Sequence, residues 1–449
     1  MFSYEEQMNK GRGDTRMQKS IVSIVKGTDV EKMVEEALSL LGGVNSLIKP
    51  DSTVVVKPNA GHYYPPESSV NTSPEVVAAT IKVLRKARPK QIILAESSAI
   101  AFDTFKCLEV SGIGKAAEEA GVDRIIDIKG EKDLINIPIR DARSALTKTA
   151  FPRFLLEADH IVNLPIFKTH VSTVFTCALK NMEGIVQDKV HFHVHQTDVA
   201  AAMLDIWSVV RADLTIADVI RPAAGFGPHP ATYPTYVGCV VAGKDPVAVD
   251  ATTCRMVDLD IGKVPYFESA WERGLGNFAE DMIEIRGKKI AEVFTPIWVP
   301  YLEGFGAWPE YNFLTENSCS CCQGLVAMTM ERLKALGEYD KNAGITIVIG
   351  PKKKLPKGVD KRDMILIGDC LKEYRGQGIF VGGCPPFSSF PQSAILRRRD
   401  YVEMEDLVRE GVTPEEVVVE EEEFKQYVDA TLRQQERQDK ERRSAKQSG

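Results

Sequence analysis

Five cysteines near the end of the chain have the residue type and spacing that metal ligation requires: Cys319, Cys321, Cys322, Cys370 and Cys384. Cys319 and Cys322 form a CxxC pair, which can bring two thiolates to one centre from a tight loop, while Cys370 and Cys384 each follow a predicted strand. Four thiolates that converge in this way suit a 4Fe-4S cluster, and Cys321 is a fifth thiol beside them. Zinc bound by four cysteines and a thiol or disulfide redox site are the alternatives, although zinc ribbons usually have two CxxC pairs.

A second set of polar residues follows the predicted strands of the first two thirds of the chain. If the strands are parallel, these residues meet at one edge of the sheet, where α/β proteins bind ligands. Lysines supply point charges for a carboxylate or phosphate, and asparagines offer both donors and acceptors. We therefore predict a pocket for a small anionic substrate, bound by Lys57, Asn59, Lys180, Asn181, Asp218 and Asp245. A buried structural network of salt bridges is the alternative, and Asp250, within a predicted helix, also suits a capping role.

Lys168, His170 and His193 are the candidates for catalytic proton transfer. His193 belongs to the segment HFHVHQ, in which His191, His193 and His195 alternate and would share one face of an extended strand. Such a face could bind a transition metal or transfer protons, and we favour proton transfer. A histidine-rich segment without a ligand is the alternative.

Short β-branched runs alternate with helical segments and predict an α/β fold: a mostly parallel sheet with helices on both faces, plus a second, smaller α/β domain. An aromatic segment rich in Pro and Gly separates the two domains. The predicted divisions are a loose arm at 1–18, a large α/β domain at 19–287, a connection at 288–316, a cysteine-rich iron-sulfur domain at 317–400 and a charged helical tail at 401–449.

Composition and motifs limit the partners, the cellular location and the cofactors that can be expected. The chain of 449 residues is 44% hydrophobic with a net charge of -7, so nucleic acid is not an expected partner. No apolar run is long enough to span a membrane, and the N-terminus lacks a signal-peptide core, so we expect a cytoplasmic protein. The segment GFGP lacks the spacing of a dinucleotide fingerprint, and no Walker A sequence occurs. A redox partner protein and a homo-oligomeric state are left open.

Two stretches resemble known families. The segments VVVKPN, ADHIVNLPIFKTH, ALKNMEGIV, DLTIAD and AGKDPVAVDA are similar, in this order, to those of the domain of unknown function 362 family, and the resemblance covers residues 21 to about 287. Members of that family are often associated with iron-sulfur clusters through a ferredoxin module, whose cysteine run is absent here. The combination CSCC, GDC and GGCPP resembles the proximal 4Fe-4S domain of nickel-iron hydrogenase small subunits and its relative in respiratory complex I. This resemblance implies that the second domain is flavodoxin-like and that Cys321 is an alternative ligand of the cluster.

These observations favour an iron-sulfur oxidoreductase that acts on a small anionic substrate. One alternative is a non-catalytic electron carrier or sensor subunit. A second is a cluster-dependent lyase, such as a dehydratase or desulfidase, in which an open iron acts as a Lewis acid.

Overall fold

The computed structural model describes residues 18–100, 102–170, 173–196, 198–225, 227, 232–264, 266–299, 304–352, 354–384, 386, 390–396 and 398. The predicted charged tail and nearly all of the predicted arm lie outside the described residues. The chain divides into two compact units at Val299, and residues 232–233 group with the second unit. None of the helices in these described ranges is long and apolar enough to cross a membrane, as the sequence predicts.

Thirteen described strands precede Val299. They are β1 (Ser20–Lys26), β2 (Thr53–Pro58), β3 (Gln91–Glu96), β4 (Arg124–Asp127), β5 (Leu134–Pro138), β6 (Lys148–Pro152), β7 (His160–Leu164), β8 (Ile166–His170), β9 (Val174–Thr176), β10 (Leu214–Gly225), β11 (Thr232–Pro234), β12 (Cys239–Gly243) and β13 (Ile283–Gly287). The helices are α1 (Val30–Leu40), α2 (Val44–Leu47), α3 (Pro74–Arg85), α4 (Thr104–Val110), α5 (Ile113–Glu119), α6 (Arg153–Glu157), α7 (Ala178–Asn181), α8 (Asp188–Gln196), α9 (Val199–Val209), α10 (Pro246–Met256), α11 (Phe267–Glu272) and α12 (Ile290–Val293).

The central sheet has eleven strands, and eight of them follow the order β13-β1-β12-β10-β7-β2-β3-β4. Seven of these eight run parallel, and β12 runs antiparallel to both of its neighbours, β1 and β10. Off this path, β11 pairs with β10, and β8 pairs with β10 and forms a hairpin with β9. The structure confirms the predicted mostly parallel sheet.

Helices cover both faces of the sheet. On one face, Met33 of α1 and Ile81 of α3 share an apolar core with Leu94 of β3 and Ala242 of β12. Successive residues of a strand point to opposite faces. The next residue, Gly243, faces α10 on the other side, where an added Cβ would lie 2.9 Å from Val249 Cγ2. The sheet is therefore buried on both sides, as its nearly continuous apolar strands predict.

The second unit contains a smaller sheet with four parallel strands in chain order: β14 (Asn312–Leu314), β15 (Thr346–Ile349), β16 (Met364–Ile367) and β17 (Ile379–Val381). Its helices are α13 (Ser320–Ala335) and α14 (Phe390–Leu396). The predicted connection at 288–316 is not a plain linker, since it contains both α12 and β14. Trp308 and Tyr311 are buried there and belong to a core, whereas Phe294 and Trp298 of the same segment are exposed.

Candidate functional site

A buried ion pair joins the carboxyl ends of β2 and β3. Lys57 Nζ lies 2.7 Å from Glu96 Oε1, and the side chains are 1% and 2% exposed. Glu96 also accepts hydrogen bonds from the backbone N–H groups of Ala60 and Ser97. Burial lowers the pKa of Lys57 and raises that of Glu96, while the charge of each partner opposes the shift of the other.

Gly184 packs directly against this ion pair. A Cβ at Gly184 would lie 2.7 Å from both Glu96 Oε1 and Lys57 Nζ, closer than real contacts of a Cβ atom. Its φ of -71° is one that any residue adopts. The glycine is therefore required by the close approach and not by its backbone conformation.

A chain of side-chain amides extends from the ion pair. Asn59 Nδ2 donates to Asn181 Oδ1 over 3.0 Å, Asn181 Nδ2 donates to Asn163 Oδ1 over 2.8 Å, and Asn163 Nδ2 donates to Ala178 O over 2.8 Å. Asn181 Nδ2 also lies 3.3 and 3.2 Å from the carbonyl oxygens of Lys57 and Pro58. Because Asn181 is engaged through both ends of its amide, it positions its neighbours instead of offering free groups to a ligand.

Lys168 on β8 lies at the head of this amide chain and is 3% exposed. Its Nζ donates to Val70 O over 2.6 Å and to Asn59 Oδ1 over 2.9 Å. These two acceptors satisfy both N–H groups of a neutral amine, whereas an ammonium would have a third N–H group. Burial lowers the pKa of Lys168 to about 7, and the nearby charges of Lys180 and Lys57 act in the same direction.

A second ion pair joins Lys180 of α7 to Glu183, which lies just after that helix. Glu183 Oε1 also lies 3.1 Å from His195 Nε2. Burial alone would raise the pKa of Glu183, but Lys180 and His195 outweigh it and hold this pKa well below its usual range. We call Lys57, Glu96, Lys168, Lys180 and Glu183 the lysine cluster.

The segment HFHVHQ is helical, so its histidines do not share one face as the strand interpretation predicts. In α8, His191 and His195 are one helical turn apart. His191 Nε2 donates to Glu183 O over 2.8 Å, and burial lowers the pKa of His191 to about 4. His193 points away and is exposed. The alternation of histidines in the sequence is compatible with either period.

His170 lies two residues beyond Lys168 on β8 and is 7% exposed. Burial, with the nearby charges of Lys180 and His195, lowers the pKa of His170 well below its usual value. His170 Nδ1 accepts a hydrogen bond from Thr173 N over 3.4 Å. A neutral imidazole that accepts at Nδ1 carries its proton at Nε2, so His170 is a hydrogen-bond donor at that atom.

The structure does not bring Asp218 and Asp245 to the lysine cluster. Asp218 lies within β10, which continues past the predicted strand end, and accepts hydrogen bonds from the N–H and hydroxyl of Ser73 at the start of α3. Asp245 caps α10 by accepting from Val247 N and Ala248 N. Since β12 is reversed, Asp245 leaves the sheet at the opposite edge from Lys57 and Glu96.

Asp250 has a supporting role for the cluster. Its carboxylate accepts hydrogen bonds from Ala178 N and Leu179 N, over 2.6 and 3.1 Å, at the start of α7. Burial raises its pKa to about 7, although these N–H groups favour the ionised form. Asp250 thus holds the short helix that carries Lys180, in line with the capping role weighed from the sequence.

The cysteines of the second unit lie at the carboxyl edge of its parallel sheet. A Cβ at Gly368, which follows β16, would lie 3.4 Å from Cys370 Sγ and 3.5 Å from Cys322 Sγ, so both sulfurs approach the same point. Burial raises the pKa of Cys370, and the nearby Cys319 and Cys384 add to this rise. Cys322 is buried, Cys319 is half-buried, and Cys370 and Cys384 are exposed. The side chain of Cys321 lies outside the described residues.

Among the residues that the structure describes, no three His, Cys, Asp or Glu side chains form a group that could hold a single metal ion. A cubane distributes its four thiolates over four iron atoms, so their sulfurs lie further apart than the ligands of one ion. Four cysteine donors, two of whose sulfurs approach Gly368, are compatible with such a cluster and with zinc.

Sequence reasoning did not assign site roles to Glu96, Glu183, Asn163 and Gly184. Glu96 ends a predicted strand and Asn163 lies near the end of another, which is the signal that selected Lys57. Glu183 and Gly184 lie in the segment ALKNMEGIV, beside the selected Lys180 and Asn181. No local pattern identifies their partners, because those contacts join segments far apart in the chain.

Residues 54–255 match a family model described as a domain of unknown function, DUF362. The chain is also similar to a thylakoid-associated protein of Synechocystis, with 26% identity over 280 residues that cover 58% of this chain and 83% of the relative. The match to the family model includes the strands and loops that carry the lysine cluster and ends before the cysteines of the second unit.

Two solved structures show weaker likeness. The lactate racemase apoprotein from Thermoanaerobacterium thermosaccharolyticum aligns over 86% of this chain and 82% of its own, with 12% identity and a TM-score of 0.39. A protein from Thermotoga maritima aligns over 56% of this chain and 59% of its own, less than two thirds of its length, with 14% identity and a TM-score of 0.30.

Proposed function

We propose that the protein is an iron-sulfur oxidoreductase that acts on a small anionic substrate. Cys319, Cys322, Cys370 and Cys384 would hold a 4Fe-4S cluster, and the lysine cluster would bind the substrate and accept a proton from it through Lys168. The observation that carries this proposal is the approach of Cys322 Sγ and Cys370 Sγ to one point beside Gly368. When bound, the cluster would supply one-electron transfer.

The preference for an anion rests on the charges of the lysine cluster. Glu96 neutralises Lys57, and Glu183 neutralises Lys180, whereas Lys168 forms no ion pair with any residue that the structure describes. As a neutral amine with a pKa of about 7, Lys168 can act as a base near neutral pH. Once it accepts a proton, the cluster carries one uncompensated positive charge, which suits an anionic substrate.

His170 complements Lys168 in this proposal. The two side chains share one face of β8, so both reach the same side of the strand. With its proton at Nε2, neutral His170 would donate a hydrogen bond to the substrate while Lys168 accepts a proton. We assign no proton transfer to His193, because it lies on the exposed side of α8.

Anaerobic iron and sulfide analysis tests the cofactor. We expect brown protein with about four irons per chain. Cys370→Ala and Cys384→Ala, which change exposed residues and so leave the fold intact, should lower the iron content, whereas Cys239→Ala, a free cysteine of the first unit, should not. A colourless protein with one zinc per chain would contradict the proposal.

A non-catalytic electron carrier is the second candidate, favoured by the exposure of Cys370 and Cys384. A cluster held there would be open to a redox partner protein. An enzyme predicts that Lys168→Ala or His170→Ala abolishes viologen-linked turnover of a panel of small carboxylates and phosphate esters, with iron content unchanged and His193→Ala as the control. A carrier predicts no turnover by any form and unchanged electron exchange with viologen. The cytoplasmic location stays a prediction.

A further inference from the structure

The first unit has a cleft of about 410 Å³ that lies apart from the lysine cluster. It is formed where β12 ends, between the starts of β1 and β10, and its lining includes Ser20, Ala212 and Asp245. The pairing of Val22 and of Thr215 with Gly243 places these chain ends side by side. The reversal of β12 therefore opens a second site at the amino edge of the parallel strands, which we call the amino-edge cleft.

The wall of the amino-edge cleft is mainly apolar. Trp207, Pro246 and Leu275 line it, and Trp207 is 2% exposed. Trp207 Nε1 donates to Leu275 O over 3.4 Å, which fixes the indole ring. Trp207 therefore lies beneath the wall, and the half-buried Ile21 and Leu41 contribute apolar surface that a ligand can touch. A cleft of this volume and lining suits the apolar body of a small organic molecule.

The rim of the cleft is basic. Lys19, Arg211 and Lys244 line it, and Asp245 is the acidic residue there. Both oxygens of Asp245 are occupied, since Oδ1 caps α10 and Oδ2 accepts from Ser20 Oγ over 2.6 Å and from Asn277 N over 2.8 Å. Lys19 and Lys244 are exposed and form no ion pair with another described residue. The cleft thus combines an apolar wall with exposed ammonium groups.

We propose that the amino-edge cleft binds a small carboxylate with an aromatic or apolar body. The body would pack against Ile21 and Leu41, above the buried Trp207, and the carboxylate would lie between Lys19 and Lys244. This pairing follows from charge complementarity at the rim and from the apolar area of the wall. The proposal uses neither the cysteines nor the lysine cluster, so it stands or falls independently of the proposed function.

Calorimetric titration with three probes tests this inference. 1-Naphthoate carries both body and charge, 1-naphthamide carries the body alone, and inorganic phosphate carries charge alone. We expect 1-naphthoate to bind with a Kd of about 1 mM or tighter, and the other two at least about fivefold more weakly. Binding of 1-naphthoate should also quench tryptophan fluorescence.

Variants locate the site. The double change Lys19→Gln and Lys244→Gln should weaken 1-naphthoate about five- to tenfold, because two rim charges are lost. Lys115→Gln, an exposed lysine on α5, is the matched control and should leave the Kd unchanged. Equal binding of 1-naphthoate and 1-naphthamide, equal binding of phosphate, or an unchanged Kd in the double variant would each overturn the proposal.

Discussion

Replacement of Lys168 by Met should remove a large pH dependence from the stability of the protein. The pKa of Lys168 is about 7 in the folded protein and 10.5 ordinarily. Between these values the unfolded chain binds a proton that the folded protein does not, so the free energy of unfolding rises with pH. Each pH unit contributes about 1.4 kcal/mol, or about 5 kcal/mol over the whole window as an upper bound.

The sign of this effect distinguishes Lys168 from an ordinary ion-paired lysine. The destabilisation is fully present below pH 7, decreases as the pH rises, and is absent above pH 10.5. A lysine whose pKa is raised by a carboxylate would show the opposite trend. Lys168→Met keeps most of the side-chain volume and carries no charge, so it lacks this contribution at every pH.

Urea unfolding of both proteins at pH 6.5, 7.5, 8.5 and 9.5, followed by tryptophan fluorescence, provides the measurement. The free energy of unfolding of the wild type minus that of Lys168→Met should increase steadily over the series. Other titrating groups are common to both proteins and cancel in this difference. A difference that stays constant from pH 7 to 10 would refute the conclusion that burial holds Lys168 as a neutral amine.

Two further changes test the geometry. Gly184→Ala should lower the free energy of unfolding in urea by about 1–3 kcal/mol, because the added Cβ would displace the ion pair of Lys57 and Glu96. In the control Gly61→Ala, where no atom lies within 4 Å of the added Cβ, the change should stay within about 0.5 kcal/mol. Equal effects of the two changes would show that the ion pair moves aside without cost. Asp218→Asn should lower the free energy of unfolding by about 1–2 kcal/mol, because its hydrogen bonds with Ser73 become weaker, and should leave the KM for the substrate unchanged. A raised KM with normal stability would show that Asp218 does bind the substrate.

Seven of the eight strands along the central order of the sheet, and helices α1, α3, α9 and α10, could be predicted because each is a separate run with clear ends. The exception is β13, whose sequence IEIRG has only two aliphatic residues. Proline favours the first position of a helix, and Pro74 and Pro246 both lie there in the structure. The direction of β12 could not be predicted, since VGCVVAG carries no sign of which neighbour it pairs with. The sequence prediction places Asp245 at the wrong edge of the sheet because it assumes that β12 is parallel to its neighbours.

Other differences arise where a local pattern fits two structures. The segment HFHVHQ alternates like a strand, but it also places His191 and His195 four residues apart, and packing near Glu183 selects the helix. The strand β14 is short and has one aliphatic residue, Leu314, so its sequence resembles a loop. Lysines and asparagines of the site could be selected by type and position, but their carboxylate partners required the folded sheet.

The amide chain restricts how the sequence of the site can change among relatives. Asn59, Asn163 and Asn181 come from three separate segments, yet each amide fixes the orientation of the next. Replacing one would leave a buried donor or acceptor of another without its partner, so a change is tolerated only when its neighbours change with it. Relatives should therefore keep or lose the three asparagines together, and a homologue with one of them altered should carry a compensating change in the other two segments.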